Sequence, residues 1–113
     1  MSQSSSVAPL TSGRASVFAA LGDGTRLALV TRLAEGRPIS ISQLTAGSNL
    51  TRQAITKHLR VLQTVGIVRS VRSGRENRFE LNPQSIAEAK GYLQFVSEQW
   101  DQALGRLKDF VEG

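Results

Sequence analysis

The sequence predicts a mainly α-helical domain that carries one small β-hairpin. Two observations lead to this fold class. Segments with apolar residues three and four positions apart, bounded by glycine, proline and capping residues, cover most of the chain. Only residues 67–81 have the pattern of two short strands around a glycine-containing turn. The 113 residues suffice for one compact domain and are too few for two ordinary ones.

Composition narrows the class of protein further. Hydrophobic residues make up 40% of the chain and charged residues 20%, which is typical of a globular domain. Only the serine-rich residues 1–12 are expected to form a flexible tail. No apolar run approaches the roughly 20 residues that span a bilayer, and the first residues do not resemble a signal peptide. We therefore expect no membrane partner and a cytoplasmic location.

Two helices are expected in the first third of the chain. A short one covers about residues 14–21. Asp23 then caps a second helix, because an aspartate in this position accepts hydrogen bonds from the first backbone N–H groups. Gly36 marks the end of the second helix. Its apolar face is predicted to consist of Leu27, Val30 and Leu33 with Ala34.

A helix-turn-helix pattern follows. Residues 39–41 predict a brief strand, residues 43–46 a short helix, and Thr51 caps a longer helix that ends at Gly66. The longer helix has a buried stripe formed by Ile55, Leu59 and Leu62. Its opposite face is polar and basic, and consists of Arg52, Gln53, Thr56, Lys57, Arg60 and Gln63. This plan is typical of proteins that place the second helix in the major groove of DNA.

A β-hairpin is predicted directly after this helix, which is the position of a wing. Its strands cover residues 67–72 and 78–81, and its turn covers residues 73–77. Phe79 and Leu81 lie on one face, while the polar, basic tip is expected to project into solvent. Residues 13–82 are therefore predicted to form a winged helix-turn-helix domain.

The charges are segregated along the chain. Between residues 52 and 78 there are seven basic residues and one acid, Glu76. From residue 83 to the end there are three basic residues and five acids. A basic middle segment is suited to a polyanion such as nucleic acid.

Residues 83–113 predict a terminal helix that opens at Asn82-Pro83. Apolar residues recur in it at alternating steps of three and four, at Ile86, Ala89, Leu93, Val96, Trp100, Ala103, Leu107 and Phe110. The rest of the domain has little core to cover this stripe, so we expect a second copy of the chain to bury it; a core helix within one chain is the alternative. The predicted dimer interface consists of Leu93, Val96, Trp100, Ala103, Leu107 and Phe110.

Three segments resemble the ArsR family of bacterial winged-helix repressors. They are Leu21–Arg26, Leu50–Leu62 and Gly66–Ser70, and the resemblance extends over about residues 14–112. It implies a homodimeric repressor that is held together by its terminal helices and released from DNA by a signal. Gly24 departs from the family, which usually has proline there, and this change is expected only to loosen the start of the helix.

A second departure concerns metals. Many ArsR proteins sense metals through a Cys-x-Cys pair, whereas the matching segment here is Ile41–Leu44 and the chain has no cysteine. Its single histidine, His58, cannot supply the three or four ligands of a transition metal. We therefore expect no metal site and no cofactor, and His58 is predicted to be partly buried and hydrogen-bonded within the domain. The sequence does not define the effector.

Double-stranded DNA is the predicted partner. The recognition helix is expected to contribute Thr51, Arg52, Gln53, Thr56, Lys57 and Arg60, and the wing Arg72, Arg75 and Arg78. Arg75, at the tip, is the residue expected to enter the minor groove. A winged-helix module that binds protein without specific DNA binding is the alternative. No nucleophile–His–acid set and no glycine-rich phosphate loop is present, so we expect no enzymatic activity.

Overall fold

The computed structural model describes residues 13–113, and these residues form two units, one ending at Pro83 and one covering Gln84–Gly113. The predicted tail at residues 1–12 lies outside the described residues. The fold is mainly helical with a small antiparallel sheet, as predicted. In chain order the elements are α1 (described over residues 13–21), α2 (Gly24–Leu33), β1 (Ile39–Ser40), α3 (Ile41–Ala46), α4 (Arg52–Thr64), β2 (Val68–Ser73), β3 (Glu76–Leu81) and α5 (Pro83–Glu112).

The core of the first unit is centred on α4. The predicted stripe of this helix is confirmed, since Ile55, Leu59 and Leu62 are each at most 1% exposed. Leu44 from α3 and Ile67, just before β2, are equally buried. Apolar residues three and four positions apart thus turn one face of α4 inward. Its polar face is left on the surface.

The predicted apolar face of α2 is partly wrong. Leu27 is 50% exposed, whereas Leu29 and Leu33 are buried and Val30 is half-buried. The helix carries two overlapping apolar rows, and its packing against α4 and β3 selects the row that contains Leu29 and Leu33. Periodicity within α2 alone does not distinguish the two rows, because both have helical spacing.

α3 begins two residues earlier than the predicted residue 43. The Ser40 hydroxyl accepts a hydrogen bond from the Gln43 backbone N–H at 3.1 Å, and the Gln43 side-chain oxygen accepts one from the Ser40 backbone N–H at 3.0 Å. This reciprocal capping box satisfies two N–H groups at the start of the helix. Ile41 is therefore helical and does not extend the strand. The Ser-x-x-Gln pattern was the sequence signal for this boundary.

The sheet has three antiparallel strands in the order β1-β3-β2. The predicted hairpin is confirmed, with its first strand shifted by one residue and its second strand two residues longer, so that only Gly74 and Arg75 form the turn between them. Gly74 has a φ of 64°, which glycine adopts without steric cost and which suits the first position of a tight hairpin turn. β1 pairs with the other edge of β3, with Ile39 opposite Phe79.

α5 is a helix of 30 residues that begins at Pro83 as predicted, and from Gln84 onward it forms the second unit. None of its residues is buried in the single chain. Leu93, Trp100, Leu107 and Phe110 are 55%, 64%, 57% and 84% exposed. Within the described part of the chain, no helix has both the length and the apolar character that crossing a membrane requires.

Candidate nucleic-acid interface

The start of α4 is fixed by Thr51. Its hydroxyl accepts a hydrogen bond from the Ala54 backbone N–H at 3.1 Å, which confirms the predicted N-cap. The Thr51 carbonyl also accepts from the Ile55 backbone N–H at 3.0 Å. With its first turn held in this way, the helix presents a fixed set of side chains on the surface.

The four side chains predicted to reach base edges line one shallow, open concave surface with a volume of about 490 Å³, which we call the reading face. Arg52, Gln53 and Lys57 are exposed there and Thr56 is half-buried. Arg60 is exposed one turn beyond Thr56 and does not line this surface. Guanidinium and ammonium groups can donate to guanine O6 and N7, and a glutamine amide can pair with adenine N6 and N7. The reading face therefore carries the chemical groups that distinguish base pairs in a major groove.

Two side chains of the reading face also make contacts within the protein. Arg52 Nη1 donates to the Ser42 hydroxyl of α3 at 2.8 Å, a contact that the sequence pattern did not predict. The Thr56 hydroxyl donates to the Arg52 carbonyl at 2.8 Å. With its proton used in this bond, the Thr56 side chain can present only its methyl group and oxygen lone pairs to a ligand. Ser42 thereby becomes a neighbour of the predicted site.

The wing separates its three predicted arginines. Arg75 is exposed in the turn, and Arg72 Nε donates to the Gly74 carbonyl at 3.1 Å. Because successive residues of a strand point to opposite faces, Arg72 lies on the face that also carries Phe79. Arg78, adjacent to Phe79, lies on the other face. Arg72 and Arg75 are thus grouped near the tip, and Arg78 is not grouped with them.

Both acidic residues of the hairpin are paired with arginines. Arg78 Nε donates to Glu76 Oε1 at 3.0 Å, and Arg69 Nε donates to Glu80 Oε2 at 2.7 Å. These pairs reduce the positive charge that Arg78 and Arg69 present to a ligand. Arg72 and Arg75 make no ion pair with the residues that the structure describes. The unpaired cations of the wing therefore lie at its tip.

His58 lies on the other side of α4, against the start of α2. It is half-buried and hydrogen-bonded within the domain, as predicted: its Nδ1 is 3.5 Å from Arg26 Nη1 and 3.8 Å from Asp23 Oδ2. The Arg26 backbone N–H donates to Asp23 at 3.0 Å and holds the pKa of that carboxyl below its ordinary value. Residues 13–113 contain no group of three or more histidines and acids placed to hold a metal ion.

Comparisons with known proteins place these features among transcriptional regulators. The model of a family described as "Helix-turn-helix domain" matches residues 21–71. The HTH-type transcriptional regulator Rv2034 of Mycobacterium tuberculosis is 32% identical over 94 residues, which are 73% of this chain and 87% of the relative. A second relative, the uncharacterized HTH-type transcriptional regulator YuzN of Bacillus subtilis, is 34% identical over 85 residues, which are 69% of this chain and 92% of the relative.

Similarity to solved structures extends over the fold. An ArsR-like transcriptional regulator from Rhodococcus sp. RHA1 superimposes with a TM-score of 0.77 at 37% identity, and the match covers 88% of this chain and 93% of that one. The winged helix-turn-helix DNA-binding domain of Mb0332 from Mycobacterium bovis, a possible ArsR-family regulator, superimposes with a TM-score of 0.67 at 23% identity. The match covers 81% of this chain and 84% of that one. The second match supports the fold alone.

Proposed function

Because this chain belongs to the ArsR family of winged helix-turn-helix transcriptional regulators, we propose that it is a cytoplasmic, homodimeric repressor that binds an inverted-repeat operator in double-stranded DNA. The observation that carries the proposal is the reading face, where two cations and one amide lie on the exposed side of a helix with a fixed start. Transcriptional regulation through DNA is shared by the relatives; the dimer, the repression and the operator symmetry are the proposed parts.

Base recognition is assigned to the reading face. Arg52 and Lys57 would donate to guanine, Gln53 would pair with adenine, and the Thr56 methyl would contact a thymine methyl. Thr51 and Arg60 flank this surface and would contact phosphates, which fix the protein on the duplex without reading its sequence. The division agrees with the geometry, since Arg60 lies outside the concave surface that the other side chains line.

The wing is assigned to the DNA backbone and the minor groove. Arg75 would enter the minor groove from the tip, and Arg72 and Arg78 would contact phosphates. Arg78 would contribute the least, because Glu76 lies 3.0 Å from its guanidinium on the same face of the hairpin.

Dimerisation is assigned to α5. The large apolar side chains Leu93, Trp100, Leu107 and Phe110 are all more than half exposed in the single chain. Val96 and Ala103 lie between them on the same stripe and are half-buried. Exposure of so many large apolar side chains along one helix is typical of a surface that a partner covers. A two-fold dimer through this stripe would supply two reading faces for two half-sites, about one helical turn of DNA or a multiple apart.

The test removes the two cations of the reading face together. For an operator found by selecting bound duplexes from a random pool, Arg52→Ala with Lys57→Ala is expected to weaken binding about 100-fold, because each base-specific contact contributes roughly 1–3 kcal/mol. Arg106→Ala with Lys108→Ala is the matched control, since it removes the same charge from exposed positions on α5. The control is expected to retain operator affinity in a gel-shift titration.

Two outcomes would contradict the proposal. One is unchanged operator affinity in the double variant, which would remove the reading face from recognition. The other is the absence of any preferred duplex together with weak dependence of affinity on salt, which is the behaviour expected of a protein-interaction module. A footprint on the operator that lacks dyad symmetry would leave DNA binding in place and contradict the two-fold arrangement.

A further inference from the structure

We propose that a cleft between α2, β1, α3 and β3, separate from the reading face, binds a small organic anion that has a phosphate or carboxylate group and an apolar body. The cleft has a volume of about 590 Å³, which lies within the range of small-molecule sites. Its cationic lining consists of Arg32, Arg37 and Arg78. We call it the arginine cleft.

The wall of the cleft suits an anion with an apolar part. The lining contains three guanidinium groups and one carboxylate, that of Glu35, and Arg78 is also paired with Glu76, so an excess of positive charge remains. Pro38, Ile39 and Ala46 supply an apolar surface beside these cations. Arginine is the side chain that binds carboxylate and phosphate oxygens through paired N–H donors. A ligand with one anionic end and one apolar end matches both kinds of surface.

Arg32 is held in place before any ligand binds. Its Nη1 donates to the Leu44 carbonyl at 3.2 Å and its Nη2 to the Gln43 carbonyl at 3.0 Å, so the guanidinium lies over the end of α3. Gly47 makes this position available, because a Cβ there would meet the Arg32 guanidinium carbon at 2.6 Å. A guanidinium has five N–H donors, and these two bonds leave three of them for an anion. Part of the site is therefore preorganised.

The other two arginines complete the cationic lining. Arg78 Nε donates to Glu76, and the N–H groups of its two terminal nitrogens remain available to bind an anion. Arg37 is exposed, and its guanidinium makes no hydrogen bond or ion pair with any residue in the described part of the chain. An anion in the cleft would give Arg37 the partner that residues 13–113 do not provide. Arg37 is consequently the residue whose removal tests the site most directly.

The position of the cleft connects it with DNA binding. Gln43, Ala46 and Gly47 belong to α3 and its end, and α3 supports Arg52 through Ser42. Arg78 belongs to the strand that leads out of the wing. None of the side chains that line the reading face lines the arginine cleft. A bound anion would bridge α3 and β3, and would favour one relative placement of reading face and wing over others. This coupling rests on the proposed function, whereas the site itself does not.

The site is tested without DNA on the full chain. Phenyl phosphate, which has an aromatic ring and an anionic group, is titrated into ¹⁵N-labelled protein, and the backbone amides of Ile39 and Gly47 are followed by NMR. We expect saturable shifts at these amides, and weaker binding of inorganic phosphate, which lacks the ring. Arg37→Ala is expected to lower the affinity for phenyl phosphate about tenfold, because loss of one hydrogen bond to a charged group has an effect of about that size. Arg106→Ala, which removes an exposed cation from α5, is the control and is expected to bind normally.

Three results would overturn the site: shifts that do not saturate, equal affinity in Arg37→Ala and the wild type, and equal affinity for inorganic and phenyl phosphate. The last would indicate non-selective attraction of anions. A fourth result concerns DNA as the true occupant. The slope of log affinity against log salt concentration reports the number of phosphate contacts. If Arg37→Ala reduces this slope for random duplex by about one contact, the cleft holds a DNA phosphate and not a small molecule. We expect that salt dependence to be unchanged.

The coupling has its own measurement. Anisotropy of a labelled operator duplex is recorded with and without phenyl phosphate, for the wild type and Arg37→Ala. A change in operator affinity in the wild type alone supports the coupling, and linkage requires the same factor in the affinity for phenyl phosphate. An unchanged operator affinity refutes it. If the protein binds no duplex at all, the proposed function fails while saturable NMR shifts still establish the site.

Discussion

The Asp23 carboxylate accepts a hydrogen bond from the Arg26 backbone N–H at the start of α2, and this bond lowers its pKa from the ordinary value of 3.8. A carboxyl whose pKa is lower in the folded state stabilises the fold above its unfolded pKa, and this contribution is lost as the pH falls through the folded pKa. We therefore expect the stability conferred by the Asp23 charge to be nearly complete above about pH 5 and to be lost progressively as the pH falls below about 4.

Asp23→Asn isolates this charge, because asparagine is also a good N-cap. The free energy of unfolding of the wild type should exceed that of the variant at about pH 6, and the difference should shrink at about pH 3. Urea denaturation at both pH values measures it. A difference that stays constant between the two would show that the carboxylate charge has no part in the stability of this helix start.

Gly47 lies directly beside the Arg32 guanidinium, and a side chain at this position would clash with it. In Gly47→Ala the new Cβ would displace the Arg32 guanidinium, and the two hydrogen bonds to the end of α3 would be lost. The backbone itself tolerates alanine, since φ at Gly47 is −89°. We expect a net loss of at most about 1 kcal/mol in the free energy of unfolding, because water replaces part of these two hydrogen bonds and alanine restricts the unfolded chain more than glycine does.

A double-mutant cycle checks the cause. In an Arg32→Ala background the guanidinium is already absent, so Gly47→Ala should then cost almost nothing. If Gly47→Ala is equally destabilising with and without Arg32, the glycine serves another purpose than making room for that side chain.

At the scale of elements, local signals predicted what depends on local structure. The caps at Asp23 and Thr51 and the buried stripe of α4 follow from residues within one or two turns of one another. The inward row of α2 depended on contacts with α4 and β3, and its predicted face was therefore partly wrong. The pairing of Ile39 with Phe79 joins residues far apart in the chain, which no short pattern contains.

The same division holds for the candidate site. The cluster formed by Arg52, Gln53, Thr56 and Lys57 was predictable, because positions three and four apart share a helix face. The Ser42 contact to Arg52 crosses from one helix to another and depends on the angle between them. Arg78 and Arg72 lie on opposite faces of the hairpin because of the strand register, and the predicted five-residue turn did not fix that register.

The wing, as an element, makes its own prediction for DNA binding. Arg75 is exposed in the two-residue turn and has no ion-pair partner among the residues described. If it contacts the minor groove or the backbone, Arg75→Ala should weaken operator and random duplex by similar factors, and reduce the salt dependence of binding by about one contact. Arg69→Ala is a suitable control on the same hairpin, since that side chain is already paired with Glu80. Equal salt dependence in Arg75→Ala and the wild type would place the wing tip away from the DNA.

For the whole molecule, the decisive quantity is the number of chains that act together. The stripe on α5 places Trp100 at its middle, where it is 64% exposed in the single chain. Trp100→Asp puts a carboxylate there, and a two-fold dimer would meet this change twice. Burial of two unpaired charges in an apolar interface is strongly unfavourable. We expect the variant to sediment as a monomer at concentrations where the wild type is a dimer.

Gln102→Asp is the matched control for that experiment, because it adds the same charge to an exposed position on the opposite side of α5. It should remain dimeric and should keep its operator affinity. Monomeric Trp100→Asp should bind the operator much more weakly, because each half-site is then bound without the help of the other. If Trp100→Asp sediments as an intact dimer, the chains associate through another surface. If it is monomeric and binds the operator as tightly as the wild type, one reading face suffices and the operator needs no second half-site.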